Sequence, residues 1–370
     1  MSDAEGLSPL VVERLVVKNF RNLERVELEP GPRFNVLSGD NAQGKTNLLE
    51  ALYVGLTSKS FRVSRPRDLI RQGAEASSVR VVLRDGPMAR EQRIGLTSRG
   101  RVAYLDETRV RALAEYAVRS PVVLFHPGSL VLSTGGGMER RKLLDRLAMY
   151  GSPVSFVDLR GYTRALRMRQ RVLESRGPLA RDLEGWEELV VRHGLALVGW
   201  RLDALEHLAG EAVRAFGRVA PSRASLELGY ERTTPGDMAT YRAELVQRRE
   251  ADIRRGGASV GPHRDDMRVV LDGGAGRLMA SQGQHRAVVL ALKLGELAVL
   301  ARSRRVWPLL LLDDVSSELD AARTEALFAH LRDERGQVFL TTTRRELIEL
   351  PADLSVRVYF RVVSGGIERD

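Results

Sequence analysis

One short segment contains the residue types that bind nucleotide phosphates. In such loops, small residues allow backbone N–H groups to curl around phosphate oxygens, a lysine reaches the β- and γ-phosphates, and a hydroxyl binds Mg²⁺. Eight consecutive residues match this pattern without a mismatch: Gly39, Asp40, Asn41, Ala42, Gln43, Gly44, Lys45 and Thr46. We predict a nucleoside triphosphate site in which Lys45 contacts the phosphates and Thr46 binds Mg²⁺.

Two neighbouring carboxylates follow a hydrophobic stretch far downstream. The apolar run 309–312 predicts a buried strand, and Asp313 and Asp314 come directly after it. Next to a phosphate-binding loop, Asp313 is expected to bind the same Mg²⁺ as Thr46, directly or through water. Asp314 is then placed to orient or polarise the attacking water. A turn that caps a helix is the structural alternative for the pair.

A third segment, Ser281-Gln282-Gly283-Gln284, precedes an apolar helix. Taken alone, it is an N-cap followed by a flexible turn. Its position about thirty residues before the carboxylates has the spacing of the signature of ABC ATPases. There, a serine hydroxyl, a glycine N–H and the helix dipole bind the γ-phosphate of ATP held by a second protomer. We therefore expect Ser281 and Gly283 to act in hydrolysis, Gln284 to contact ATP, and ATP to join two copies.

The elements around these motifs suggest one domain interrupted by another. Alternating apolar residues predict strands near the N-terminus and an antiparallel meander over 78–105, whereas 138–255 is mostly helical. Helices and strands then alternate again. We predict an α/β fold, a P-loop ABC-type ATPase head with a mixed sheet and an antiparallel β subdomain, formed by residues 1–110 and 258–370. A mainly helical domain at 111–257 is inserted into it.

Composition favours an anionic partner and excludes several classes of site. The 370 residues have a net charge of +10, and all but five of the 58 basic residues are arginine, which suits bidentate phosphate contacts. The chain has no cysteine, so disulfides, thiolate metal sites and thiol nucleophiles are excluded. Without an apolar run of membrane length or a secretory signal, we expect a cytoplasmic protein with no membrane partner.

One basic segment follows the predicted helix of the phosphate-binding loop. We interpret it as a surface that contacts DNA phosphates, although a solvated charged face is the alternative. A second set at helical spacing, Arg160, Arg164, Arg167 and Arg171, is better explained as a solvated or dimer-facing stripe. Neither a recognition helix nor a stacking motif is evident, so recognition of shape rather than sequence is expected. The candidate DNA residues are Lys59, Arg62, Arg65, Arg67 and Arg71.

These motifs together resemble the RecF family. Residues 19–22, Asn-Phe-Arg-Asn, are similar to the opening of SMC-like heads, and the phosphate-binding loop continues into Asn-Leu-Leu-Glu-Ala at 47–51 as in RecF. The blocks at 58–62, 261–266 and 281–286 are also similar to RecF. SMC proteins separate their half-heads by long coiled coils, whereas here a short helical region does so. The resemblance covers the whole chain.

The resemblance implies an ATP-gated clamp on DNA. ATP would close a homodimer on double-stranded, gapped or junction DNA, and slow hydrolysis would release it, because Asp314 stands where ABC heads mostly carry glutamate. It also implies a role in replication-gap repair and SOS induction, with RecO and RecR as partners that help load RecA. Two alternatives remain at this point: an ABC transporter ATPase subunit and an ATP-binding interaction module that does not hydrolyse ATP.

Overall fold

The structure, a computed structural model, describes residues 6–220, 224–275, 280–332, 334–347 and 356–370. Contacts within the chain divide it into two compact units, each made of discontinuous segments. The first unit contains Met1–Ser129, Arg214–Arg223 and Arg286–Asp370, and the second contains Leu130–Val213 and Ala224–His285. No helix in the described part of the chain is long and apolar enough to cross a membrane.

A six-stranded sheet in the first unit leads into the phosphate-binding loop. Its strands are almost entirely parallel, and only the edge strand β16 is antiparallel to its neighbour. Four of its strands, β3 (Phe34–Ser38), β8 (Val122–Phe125), β13 (Leu309–Leu312) and β14 (Val338–Thr342), are buried along their whole length without alternation, as expected for a parallel sheet covered on both faces. The order is β16 (Gly366–Arg369), β15 (Arg357–Val363), β3 (Phe34–Ser38), β14 (Val338–Thr342), β13 (Leu309–Leu312) and β8 (Val122–Phe125).

A second, mainly antiparallel sheet completes the strands of the first unit and confirms the predicted meander. Every second residue of β4 is buried, which gives the sheet one core face and one solvated face. The strands are β1 (Ser8–Phe20), β2 (Leu23–Leu28), β4 (Ala76–Asp85), β5 (Met88–Thr97), β6 (Gly100–Leu105), β7 (Thr108–Arg109) and β12 (Val306–Trp307), and β12 pairs in parallel with β1.

Two helices of the first unit, α1 (Lys45–Thr57) and α2 (Leu113–Ala117), share one apolar core with both sheets. The helix that follows the phosphate-binding loop, α1, contributes Leu48, Leu49, Leu52 and Leu56, the side chains that its sequence pattern placed on one face. The described helices are α1 (Lys45–Thr57), α2 (Leu113–Ala117), α9 (Gln282–Arg304), α10 (Val315–Glu318) and α11 (Ala321–Arg332). The first turn of α9, up to His285, belongs to the second unit.

The second unit is mainly helical, with one small sheet. Its helices are α3 (Val131–Thr134), α4 (Gly137–Gly151), α5 (Val154–Arg176), α6 (Leu183–Val219), α7 (Met238–Gln247) and α8 (Arg249–Arg255). The last residues of α6, from Arg214 onward, belong to the first unit. The sheet has the order β11 (Gly274–Ala275), β10 (Asp266–Leu271) and β9 (Leu226–Glu231).

Buried ion pairs hold the helices of the second unit together. Arg169 of α5 is fully buried, and its guanidinium contacts Glu187 of α6 at 3.1 Å and Asp252 of α8 at 2.7 Å. Arg249 supplies a second cation to the Glu187 carboxylate at 2.6 Å. Because an unpaired charge would be costly at this depth, these contacts tie three helices into one arrangement.

The block 261–266 has a structural role within the second unit. The Asp266 carboxylate accepts two hydrogen bonds from the Arg140 guanidinium, at 2.9 and 2.6 Å. Asp265 is fully buried and accepts from the Tyr230 hydroxyl at 2.9 Å and from the backbone N–H groups of Thr233 and Thr234. The block therefore closes a polar core within the second unit.

The unit boundaries differ from the predicted 110/111 and 257/258. The strand β8 at 122–125 belongs to the first unit, because it extends the parallel sheet beside β13. Residues 258–285 belong largely with the helices, because β10 pairs along its whole length with β9 of the same unit. The sequence pattern did not identify β8, β9 or β15, whose pairing partners are distant in the chain.

Candidate nucleotide-binding site

The phosphate-binding loop lies between β3 and α1, as predicted. Three of its residues have positive φ, Gly39 at 149°, Ala42 at 66° and Gly44 at 118°. At Gly39 the backbone passes so close to β15 that a Cβ atom would lie 2.4 Å from the Val362 carbonyl oxygen. Glycine is therefore required there for steric as well as conformational reasons.

The parallel sheet brings Asp313 to the loop. The strands β3 and β13 flank β14, so their carboxyl ends meet at one edge of the sheet. The Thr46 hydroxyl donates to Asp313 Oδ1 at 2.9 Å, and the Thr341 hydroxyl at the end of β14 donates to the same oxygen at 2.9 Å. Two motifs separated by 267 residues thus share a hydrogen bond.

The environment of Asp313 suits a hard cation. Burial raises the pKa of its carboxyl group, although the hydrogen bonds from Thr341 and Thr46 act in the opposite direction. The neighbouring carboxylate of Asp314 also acts to raise this pKa, whereas the Arg62 guanidinium acts to lower it. One carboxylate with one hydroxyl is the kind of donor set that Mg²⁺ uses together with substrate phosphates and water. Thr46 and Asp313 therefore fit the Mg²⁺ ligands that the motifs predict.

Lys45 lies at the centre of the charged groups of the loop. Its ammonium group donates to the carbonyl oxygens of Gly39 at 2.7 Å and Asp40 at 2.8 Å. Partial burial lowers the pKa of Lys45, and the carboxylates of Asp314, Asp313 and Asp40 oppose this shift. The side chain is thus held within the loop close to the carboxylate pair.

Asp314 stands at the start of a helical turn, and its role in activating water stays a prediction. It adopts a left-handed conformation with φ of 53° and directly precedes α10, so it does begin a helical turn. Its carboxylate accepts from the Ser317 hydroxyl at 2.7 Å rather than from a backbone N–H of the helix. Its own N–H donates to the Thr341 hydroxyl at 2.9 Å, which fixes the peptide between the two aspartates.

The signature segment forms an N-cap. The Ser281 hydroxyl accepts from the backbone N–H of Gln284 at 3.2 Å, and Gln284 Oε1 accepts from the Ser281 N–H at 2.8 Å. This reciprocal pair is a capping box at the start of α9. Within one chain the segment therefore has its structural role, and its action on the ATP of a partner stays a prediction. Ser281, Gly283 and Gln284 belong to the second unit and the loop to the first.

The basic segment is partly neutralised by acidic neighbours. Arg62 contacts Glu50 at 3.3 Å, Arg67 contacts Asp68 at 3.6 Å, and Arg71 contacts Glu24 at 3.0 Å. Arg65 is exposed and forms no ion pair with any described residue. Lys59 is also exposed but does have an interaction partner. Arg65 and the 61% exposed Arg67 are the side chains most available to an external anion.

The sequence pattern did not indicate the role of Glu50. This α1 residue is completely buried, and its carboxylate accepts from the Arg21 guanidinium at two positions, both 3.1 Å, and from the Ser60 hydroxyl at 2.6 Å. Arg62 donates the fourth hydrogen bond to this carboxylate and also donates to Asn47 at 2.8 Å. A lone glutamate within an apolar helix face is the signal that could have revealed it.

The chain matches the family described as RecF/RecN/SMC N-terminal domain over residues 11–364. It is 41% identical to the DNA replication and repair protein RecF of Anaeromyxobacter sp. (strain Fw109-5), covering 95% of this chain and 97% of that relative. It is 35% identical to the RecF of Geotalea uraniireducens (strain Rf4), covering 92% of this chain and 94% of that relative.

Solved structures give the same result. A structure of the recombination mediator protein RecF-ATP in the RecFOR pathway superimposes with a TM-score of 0.88, at 28% identity and 99% coverage of both chains. An Smc head domain from Pyrococcus furiosus shares the fold, with a TM-score of 0.57 at 15% identity, over 98% of this chain and 96% of that one. The fold is therefore the SMC-like ABC ATPase head that the motifs predicted, and the chain belongs to the RecF family.

Proposed function

We propose that this protein is an ATP-dependent DNA-binding clamp that acts in recombinational repair of replication gaps and in SOS induction. The observation that carries the proposal is the hydrogen bond from Thr46 to Asp313, because it unites the phosphate-binding loop with the carboxylate strand. Family membership supports the assignment to DNA replication and repair, the name given to its relatives. It also favours this function over that of a transporter subunit.

The chemistry assigns a task to each group of the site. The N–H groups of the loop and Lys45 hold the phosphates of ATP, and Thr46 and Asp313 would hold Mg²⁺, which when bound would supply positive charge to the phosphates. Asp314 orients the attacking water, and its short side chain makes hydrolysis slow. Slow hydrolysis thus determines how long the dimer stays closed on DNA before it releases the DNA.

The clamp requires two copies. Ser281, Gly283 and Gln284 of one protomer complete the ATP site of its partner, so ATP closes the dimer. The DNA surface contains the basic segment Lys59–Arg71, which contacts backbone phosphates and therefore recognises shape rather than sequence. RecR and RecO, the other components of the pathway of its structural relative, bind the DNA-bound dimer and help load RecA.

The test compares DNA affinity with ATP, with ADP and without nucleotide, across a range of salt concentrations. ATP should increase both dimerisation and affinity for duplex DNA. If about six phosphates are contacted, log K should fall with log[salt] at a slope of about −5. A slope near zero, a strong preference for one duplex sequence, or equal affinity with ATP and ADP would contradict the clamp.

A further inference from the structure

The C-terminal hairpin contacts the phosphate-binding loop directly. Ser364 and Gly365 form the two-residue turn between β15 and β16. The N–H of Ser364 donates to Gln43 Oε1 at 2.6 Å, and the N–H of Gly365 donates to the Gln43 carbonyl oxygen at 2.9 Å. One residue of the loop thus accepts both backbone donors of the turn.

A second element contacts the same carbonyl group. Asn22, in the connection between β1 and β2, donates from Nδ2 to the Gln43 carbonyl oxygen at 3.1 Å. Asn22 is held in turn, because its Oδ1 accepts from Asn47 Nδ2 at 2.8 Å. The Gln43 carbonyl group therefore points to two donors that come from separate parts of the first unit.

The orientation of this carbonyl decides where the next N–H points. In a trans peptide the C=O and the following N–H point in opposite directions. Since the Gln43 oxygen faces the hairpin and Asn22, the N–H of Gly44 faces away from both. Backbone N–H groups of such loops are the donors that bind phosphate oxygens, so a flipped Gln43–Gly44 peptide would replace a donor by an acceptor.

The backbone geometry and packing of the hairpin turn support this orientation. Both turn residues have positive φ, 48° at Ser364 and 79° at Gly365, which is the geometry of a tight type I′ hairpin. A Cβ atom on Gly365 would lie 2.5 Å from the Asn22 carbonyl oxygen, so the turn packs directly against the β1–β2 connection. The preceding strand β15 also pairs with β3 from Phe34 to Ser38, up to the residue before the loop.

We propose that the Ser364–Gly365 turn, together with Asn22, is a positioning element for nucleotide binding that holds the Gln43–Gly44 peptide with its N–H towards the phosphates. Gln43 is then a positioning residue, since its side chain anchors the turn and its carbonyl is the group being held. This inference rests on the ATP binding proposed above.

Two variants test the inference without adding charge. Gln43→Met keeps the length of the side chain but removes the acceptor for Ser364, and Gly365→Ala forces the turn away from Asn22. Glu368→Gln is the control, because Glu368 is exposed on the same hairpin and lies outside the loop contacts. Calorimetry would measure the Kd for ATP and for ADP, and steady-state assays would measure kcat and KM.

Both variants should raise the Kd for ATP and ADP about tenfold, as expected for a missing or misdirected hydrogen-bond donor. The kcat should stay within about twofold of the parental value, because uniform binding is weakened while the carboxylates are untouched. Hydrogen exchange in the loop peptide should accelerate without nucleotide. If Gly365→Ala fails to fold, Gln43→Met carries the test alone.

Three results would overturn the inference: parental Kd in the variants, a loss confined to kcat, or an equal loss in Glu368→Gln. A parental protein that binds no ATP would instead refute the proposed function itself. The two failures are therefore distinguishable within one set of titrations.

Discussion

Single residues of the phosphate-binding loop have tasks that substitutions can separate. Lys45 is only half-buried and donates to two carbonyl oxygens of its own loop. The methionine side chain is similar in length to that of lysine and carries no charge, so Lys45→Met should leave the fold intact. ATP affinity measured by calorimetry should fall about 10- to 100-fold or more, the loss expected for a charged hydrogen-bond donor. Unchanged affinity in a variant with parental thermal unfolding would disprove the assignment.

The two aspartates should behave differently when their charge is removed. Asp314→Asn is expected to retain Mg²⁺-ATP binding and to accumulate the ATP-bound dimer, because only the activation of water is removed. Single-turnover hydrolysis should slow by about 100-fold or more, the usual contribution of a positioned general base. Hydrolysis at the parental rate would show that Asp314 is not the base, and loss of Mg²⁺-ATP binding would make it a metal ligand.

At the scale of elements, the basic segment Lys59–Arg71 is the connection between α1 and the meander, and buried side chains hold it in place. Phe61 packs against Tyr53 and His126, and Leu69 is buried, so the backbone of the segment is anchored. Glu50 beneath it neutralises Arg62. The arginines left exposed are therefore carried on an anchored segment, which suits the proposed contacts with DNA phosphates.

Removing charge from this surface should weaken DNA binding in a characteristic way. In the double variant Arg65→Gln/Arg67→Gln, affinity for duplex DNA should fall for every sequence alike. The slope of log K against log[salt] should become shallower by about 1.8, or about 0.9 for each phosphate that the protein no longer neutralises. Fluorescence anisotropy at several salt concentrations measures both quantities.

A matched control is Arg335→Gln/Arg369→Gln, which removes two exposed arginines elsewhere in the first unit. An equal effect of the control would mean that only net charge matters. An unchanged slope in the Arg65/Arg67 variant would assign the segment to solvent, the alternative that its composition left open.

At the scale of the whole molecule, the proposed completion of each ATP site by a second protomer makes a prediction about mixtures. Ser281→Arg places bulk and positive charge at the start of α9, while the loop of the same chain is untouched. The variant should bind ATP with near-parental affinity but should not dimerise in analytical ultracentrifugation, and hydrolysis should disappear together with dimerisation. Loss of the capping box costs only about 1 kcal/mol of stability, so the variant should still fold.

Mixing Ser281→Arg with Lys45→Met gives the decisive measurement. A heterodimer retains one intact composite site, because one protomer supplies its loop and its partner supplies the signature. Hydrolysis should therefore reappear on mixing two inactive variants. If Ser281→Arg alone still dimerises with ATP, the segment acts only as the helix cap seen within one chain.

Local motifs determined most of what the sequence predicted correctly. The phosphate-binding loop and the capping segment are each one continuous stretch of sequence. Their residue types and spacing therefore specify the local backbone geometry without reference to distant parts of the chain. The strand before Asp313 and the meander were likewise visible in apolar runs and alternation. The family followed from the combination of these motifs, and the comparisons confirm it.

Only the tertiary structure decided which distant groups meet. The sequence pattern did not identify β8 and β15 as strands of the sheet that leads into the loop, and the predicted boundary at 110/111 therefore left β8 outside the first unit. Arg21, which donates twice to Glu50, and the hairpin that holds Gln43 lie in other elements of the chain than the residues that they hold. The residue type shows that a buried carboxylate or a loop carbonyl needs hydrogen-bond donors. Which donors it receives is determined by the packing of the whole unit.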